Sequence, residues 1–221
     1  MRAASLWCCL GLTAAIPTVA RTQDPAARAP AADTFIVVLP SRSPEAILAD
    51  RERARRVQDD AETRGADERA RTADYGARIE TKKLEIDAAD ARVKTAKKQK
   101  QDADRATAES EKRVLERQRG VLERQRDLHN SLALLAQAEA DWAAASVSAL
   151  DLEMQLVSRR TQAGGTIPSG TGSVVGELER RTLEAQRNQE DKRALVSSRR
   201  SDAIAGQIEL IKALAFAAGV N

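Results

Sequence analysis

The sequence is very poor in aromatic residues. Phe, Trp and Tyr together make up 2% of the 221 residues, whereas Asp, Glu, Lys and Arg make up 31%. A chain with so few large apolar groups can hardly fill a thick three-dimensional core. It can still bury apolar stripes between helices, and this composition is typical of long helices and coiled coils. We therefore expect an all-α protein.

Cysteine and histidine are almost absent. Cys8 and Cys9 lie in the N-terminal apolar run, and His129 is the single histidine. Without the N-terminal run the chain has no thiol for a disulfide or a Cys-based metal site. A Ser-His-Asp triad would depend on His129 alone, which we interpret as a boundary residue of a helical stripe. The sequence therefore predicts no metal, no cofactor, no small-molecule substrate and no enzymatic activity.

Long apolar runs are missing after the N-terminus, since no later segment has 18 consecutive apolar residues. Residues 1–20 contain a positive start at Arg2, the uncharged run from Leu6 to Val19, and small residues before Arg21. This pattern predicts a secretory signal peptide and export to the periplasm or cell envelope. A cytoplasmic N-terminal anchor is the alternative. Contact with the envelope or outer membrane follows as an expectation.

Neither sign of charge dominates. The chain has 36 basic and 33 acidic residues, a formal charge of +3, which does not favour a nucleic-acid binder. The segment from Arg92 to Lys100 (RVKTAKKQK) is a local exception, with five basic residues and no acid. We interpret it as a solvated helix face. Contact with phospholipid head groups, lipopolysaccharide or nucleic acid is the alternative.

Proline is confined to six positions, and none lies between Pro44 and Pro168. Residues 21–42 read as a linker in which Phe35–Leu39 (FIVVL) predicts a short strand or an apolar tether. Ser43-Pro44-Glu45 has the features of a helix start. The proline-free stretch predicts one continuous coiled-coil helix over 43–160, about 175 Å long at 1.5 Å per residue.

Apolar residues recur every seven positions along this helix. The segment 114–127 (VLERQRGVLERQRD) repeats VLERQR at that spacing, because seven residues return a helix to nearly the same face. From Ile79 onward, ten of twelve such positions are apolar; Lys100 and Thr107 are the exceptions. Alanines recur three residues further on, which favours close helix packing. This pattern predicts an interaction seam for protein partners and a homo-oligomer, formed by Ile79, Ile86, Val93, Val114, Val121, Leu128, Leu135, Trp142 and Leu156.

Acid-to-base pairs also follow the period, at Asp60/Arg64, Asp67/Arg71 and Asp74/Arg78. At four-residue spacing they are expected to pair within the helix.

Glycine is concentrated where the helix should end. Residues 161–173 contain AGGTIPSGTG, which predicts a turn. Residues 174–218 then predict a returning helix, with Gly219 as its stop. Folded back, this helix would cover roughly Leu115 to Arg160. The predicted fold is thus a long antiparallel helical hairpin with very unequal helices, in which about seventy residues of the first helix project or pair between subunits.

Three motifs resemble the TolC-like outer-membrane efflux proteins over about residues 135–219. They are the helix end Arg160–Gly164 (RTQAG), the segment Leu183–Arg187 (LEAQR), and the apolar helix end Ile208–Ala215 (IELIKALA). The family has two such repeats together with membrane strands, whereas this chain has one hairpin. The resemblance therefore implies a helical-hairpin docking module in the cell envelope.

A weaker resemblance is to Skp-like periplasmic chaperones, which combine a signal peptide, a short apolar strand like Phe35–Leu39, and long charged helical arms. A C-terminal strand that completes their body has no counterpart here.

Two functions from different classes follow as expectations. The first is an exported, non-enzymatic structural or docking protein; the alternative is a holdase chaperone for outer-membrane proteins.

Overall fold

The described part of the chain, residues 42–162 and 174–219 of the computed structural model, consists of three long helices. They are α1 (Pro44–Gln99), α2 (Asp102–Gln162) and α3 (Val174–Ala217), and these residues include no strand. The helix α1 packs antiparallel on α2, and α3 packs antiparallel on α2 as well. The predicted all-α class with an antiparallel helical hairpin is confirmed.

The prediction of one continuous helix over 43–160 is wrong, because the chain reverses at Lys100 and Gln101. Lys100 adopts the left-handed conformation, with φ 56° and ψ 34°. Its N–H donates to the Lys97 carbonyl at 3.4 Å, and the Gln101 N–H donates to the Ala96 carbonyl at 3.0 Å. This arrangement closes the end of α1 in the manner of a Schellman cap. The Gln101 carbonyl then accepts the first bond of α2, from Arg105.

Charge explains why the reversal occurs here without glycine or proline. Lys97 and Lys98 lie in the last turn of α1, and Asp102 and Asp104 lie in the first turn of α2. Each pair complements the helix dipole at its own end. Of the two polar seam positions, Lys100 lies at the turn and Thr107 lies just after it. An apolar side chain at the turn would have no neighbouring helix to pack against.

The outer ends of the helices follow the sequence closely. The Ser43 hydroxyl accepts from the Ala46 N–H at 3.2 Å, Pro44 occupies the first turn, and Glu45 adds an acid there. At the other end α3 stops at Ala217, and Gly219 has φ +74°, a conformation that favours glycine. The predicted cap at Ser43 and stop at Gly219 are confirmed.

The middle helix α2 is covered on two sides. Contacts run from Arg42–Glu153 to Arg92–Glu111 along α1, so α1 follows nearly the whole of α2. Contacts to α3 run from Arg160–Glu179 to Arg117–Phe216. The predicted coverage of Leu115 to Arg160 by the returning helix is therefore confirmed. The predicted projection of about seventy residues is wrong, because α1 folds back on α2 and only the tip of the α1–α2 hairpin extends beyond α3.

Small residues form much of the core of α2. Burial on two sides requires close approach of neighbouring backbones, which alanine permits. The buried alanines of α2 are Ala108, Ala133, Ala136, Ala138, Ala140, Ala143, Ala145 and Ala149. The signal peptide predicted over 1–20, the Phe35–Leu39 segment and residues 163–173 of the turn predicted over 161–173 lie outside the described residues. The first two residues of that predicted turn, Thr161 and Gln162, belong to α2.

Candidate interaction surface

The predicted interaction seam lies mostly between helices of this chain. Ile79 and Ile86 are buried on α1, and Leu128 and Leu156 are buried on α2. Val93, Val121, Leu135 and Trp142 are half-buried, and Val114 is exposed. The heptad periodicity is therefore largely used for packing within the chain. Its use with a partner stays a prediction, and the buried members would have to be uncovered first.

The seam of α2 divides between its two neighbours. On one side, Ala136 lies opposite Gly65 of α1, where an added Cβ would sit 3.5 Å from the alanine methyl. On the other side, Leu128 contacts Gly206 of α3, where an added Cβ would sit 3.4 Å from Cδ1. Glycine at these two crossings allows the neighbouring helices to approach α2 closely.

One carboxylate joins all three helices. Glu139 of α2 lies 2.8 Å from Arg64 Nη2 of α1 and 3.6 Å from Arg200 Nη2 of α3, and its side chain is only 16% exposed. Arg64 was expected to pair with Asp60 on its own helix, so tertiary contact has taken precedence over the four-residue spacing. Charged contacts in a part-buried seam fix register more than they add stability.

A polar cluster interrupts the seam between α1 and α2. His129 Nδ1 lies within hydrogen-bonding distance of Glu68 Oε2, and both side chains are 16% exposed. The imidazole stacks on Tyr75 with ring centroids 5.2 Å apart, and Arg71 contacts Glu68 at 3.1 Å. The Glu68 carboxylate and the Tyr75 ring thus hold the imidazole in a packed polar contact between α1 and α2.

The tip of the α1–α2 hairpin contains the predicted basic segment. Arg92 contacts Glu111 at 2.7 Å and Lys94 contacts Asp90 at 2.6 Å. Hydrogen bonds from Lys112, and then from Lys94, lower the pKa of Asp90 from 3.8 to about 2. The remaining lysines, 97, 98 and 100, are exposed at the turn. Pairing with acids on the same hairpin accounts for part of the segment, and contact of its tip with anionic groups stays a prediction.

A row of exposed isoleucines lies on α3. Ile204, Ile208 and Ile211 are 51%, 48% and 65% exposed. Their spacing of four and three residues places them on one helix face. Val196, Ala203 and Gly206 contact α2 from a different face. Since Ile204 and Ile208 each lie two residues from Gly206, these two isoleucines are about 160° around the helix from the Gly206 contact with α2.

This face continues with heptad spacing over 25 residues. Seven of its eight seam positions are exposed and Ala215 is half-buried, and none carries a charge. We call this set the outer face of α3: Ala194, Ser197, Ser201, Ile204, Ile208, Ile211, Ala215 and Ala218. The prediction from sequence gave the returning helix one packing face, against α2, and did not identify this second seam. The signal was present, since eight successive uncharged positions are unusual in so charged a helix.

An open groove borders the outer face at the end of α3. Arg117 of α2 lies over the Phe216 ring, 5.5 Å from its centroid, and an added Cβ at Gly120 would meet nothing within 4 Å. The groove has a volume of about 540 Å³ and is lined by both apolar and charged groups. It lies between α2 and the end of α3 and is open to solvent.

No described helix has the length and apolar content that crossing a bilayer requires. Within residues 42–162 and 174–219, no three His, Cys, Asp or Glu side chains come together as a metal site would need. Comparison with protein families, curated proteins and solved structures finds no match to this chain. The resemblances to TolC-like and Skp-like proteins therefore stay predictions. The outer face of α3 is the strongest candidate for a functional surface.

Proposed function

We propose that this protein is an exported, non-enzymatic coiled-coil protein that serves as a docking or structural module in the cell envelope. The observation that carries the proposal is the outer face of α3, an apolar stripe turned away from α2. A helix that is apolar on two faces normally has neighbours on both. Here one neighbour is α2, and the second is absent from the described chain.

The recognition mechanism is the packing of another helix along this stripe. Isoleucine side chains at successive seam positions provide knobs, and the flanking Ala and Ser positions let a partner backbone approach. Burying an isoleucine that is half exposed stabilises a complex by about 1 kcal/mol, on a scale of about 1.5–3 kcal/mol for a fully exposed side chain. Three residues on each side of a contact therefore contribute about 6 kcal/mol before the cost of association.

Export and envelope location rest on the residues 1–20 pattern and on the TolC-like motifs. Both are sequence observations, and the charged, helical character of residues 42–162 is compatible with them. A holdase would use the same apolar face differently, because unfolded clients bind many sites loosely and without fixed stoichiometry. The number of distinct partners on the face therefore distinguishes docking from chaperone activity.

Photocrosslinking in the producing cell tests the proposal. A photoreactive amino acid replaces Ile208 in one variant and Arg55, an exposed polar position of α1, in the control. A docking module yields one or two discrete adducts in the envelope fraction at position 208 and none at position 55. A continuous smear of adducts would instead indicate a holdase. No adduct at 208, or an adduct only in the cytoplasm, would overturn the proposal.

A further inference from the structure

We infer that the partner on the outer face of α3 is a second copy of this chain, packed antiparallel about a two-fold axis that crosses the outer face between Ile204 and Ile208, at the level of residue 206. The inference rests on the proposed docking function and names its partner. A two-fold interface requires a surface that is complementary to itself. The outer face meets this requirement in the sizes of its side chains, in the charges that flank it and in the position at which α3 ends.

The side chains can fit together across the axis. An antiparallel pair places Ile204 opposite Ile208 of the second copy, and the reverse contact is identical by symmetry. Moving outward from these isoleucines, Ser201 meets Ile211, Ser197 meets Ala215 and Ala194 meets Ala218. Two large residues therefore meet at the centre, Ile211 packs over a small serine on either side, and small residues meet small ones at both ends.

The charges flanking the seam also suit this arrangement. Positions on the same edge of each helix approach one another in an antiparallel pair. Arg200 then lies beside Leu214, where its aliphatic stem can cover the apolar side chain. Gln207 lies beside its own copy at the axis, and Lys212 lies beside Ser198. No cation is placed against a cation.

A parallel pair is disfavoured by the upstream residues of the same seam. Continuing the heptads toward the N-terminus of α3 brings Glu190 and then Arg187 onto the seam. In a parallel pair each of these charges would meet its own copy, which repels. In the antiparallel pair both lie beyond the end of the second α3, which stops at Ala217.

The mass of the purified full-length chain in solution tests for the dimer. We expect twice the chain mass by sedimentation and light scattering at micromolar concentration. Ile208→Lys should raise the Kd at least about 100-fold, because two uncompensated ammonium groups would be buried by symmetry. Leu84→Lys is the matched control, since Leu84 is an isolated apolar residue of α1 that is 71% exposed. It should leave the Kd unchanged, and circular dichroism should show equal helicity for both variants.

Disulfide formation then tests the orientation, in a chain in which Cys8 and Cys9 are replaced by serine. Gln207→Cys should crosslink two copies in an antiparallel dimer, whereas Ala194→Cys should do so only in a parallel one. A monomer at all concentrations, a dimer unaffected by Ile208→Lys, or crosslinking at 194 alone would each overturn the inference. A monomer that still gives a discrete adduct to a different protein at position 208 would leave the docking function standing.

Discussion

Glycines inside the helices provide a graded test of the packing described above. Glycine in a helix interior is less favourable than alanine by about 1 kcal/mol, so each replacement should be stabilising where the site has space. An added Cβ at Gly76 or Gly120 meets no atom within 4 Å. Gly76→Ala and Gly120→Ala should therefore each raise the free energy of unfolding by about 1 kcal/mol, or Tm by about 2–4 °C for a chain of this size.

Gly206 should respond differently because α2 is close. A Cβ there would lie 3.4 Å from Leu128 Cδ1 and 3.6 Å from its Cα, and the backbone atom cannot move aside as a flexible side chain could. Gly206→Ala should still be tolerated, since both distances are ordinary van der Waals contacts and leave room for a single methyl group. Gly206→Val places further methyl groups against α2 and should cost about 1–3 kcal/mol, as overpacked cores do.

Gly120→Val is the matched control, because it adds the same side chain to a helix interior with open space. Urea and thermal unfolding of the purified chain, followed by circular dichroism at 222 nm, measure both variants. We expect Gly120→Val to be neutral or slightly stabilising and Gly206→Val to be clearly destabilising. Equal stability of the two valine variants would show that α3 does not approach α2 at Leu128, and would refute the packing of this hairpin.

Three further predictions concern the turn, the tip and the polar cluster. Lys100→Gly should stabilise the chain by about 1 kcal/mol in urea unfolding, because glycine adopts the left-handed conformation without a steric cost. The pKa of Asp90 is lowered from 3.8 to about 2, so its ion pair with Lys112 stabilises the fold fully above about pH 4 and less as the pH falls toward 2. Asp90→Asn should remove this part of the pH dependence of the free energy of unfolding. An unchanged pH dependence in the variant would contradict the pairing. Replacing Glu68 or His129 with Ala should each cost about 1–3 kcal/mol, and the double variant should cost less than the sum in a double-mutant cycle, whereas strict additivity would mean that the two side chains do not interact.

The sequence by itself determined the secondary structure and most helix ends. Low aromatic content and heptad spacing require helices that bury stripes, and the Ser43 cap, the Gly219 stop and the pairing of the returning helix with the end of α2 follow from local chemistry. These features depend on residues that are close together in the sequence, so they can be predicted without the tertiary structure. The sequence also marks the turn at Lys100, because two seam positions near it are polar and basic residues before it are followed by acidic residues after it. Since the turn contains no glycine or proline, this segment was interpreted as a solvated helix face.

Only the tertiary structure decided which surface each stripe covers. A heptad pattern shows that a helix face is apolar, but its neighbour can be the same chain or another one. Because the chain folds back at Lys100, α1 packs on α2, and Ile79 and Leu128 are buried within the chain. The same folding brings Arg64 and Arg200 to Glu139 and His129 to Glu68, across separations in sequence that no local pattern reveals. It leaves the isoleucines of α3 exposed, because α2 has a neighbour on each side and α3 has only one.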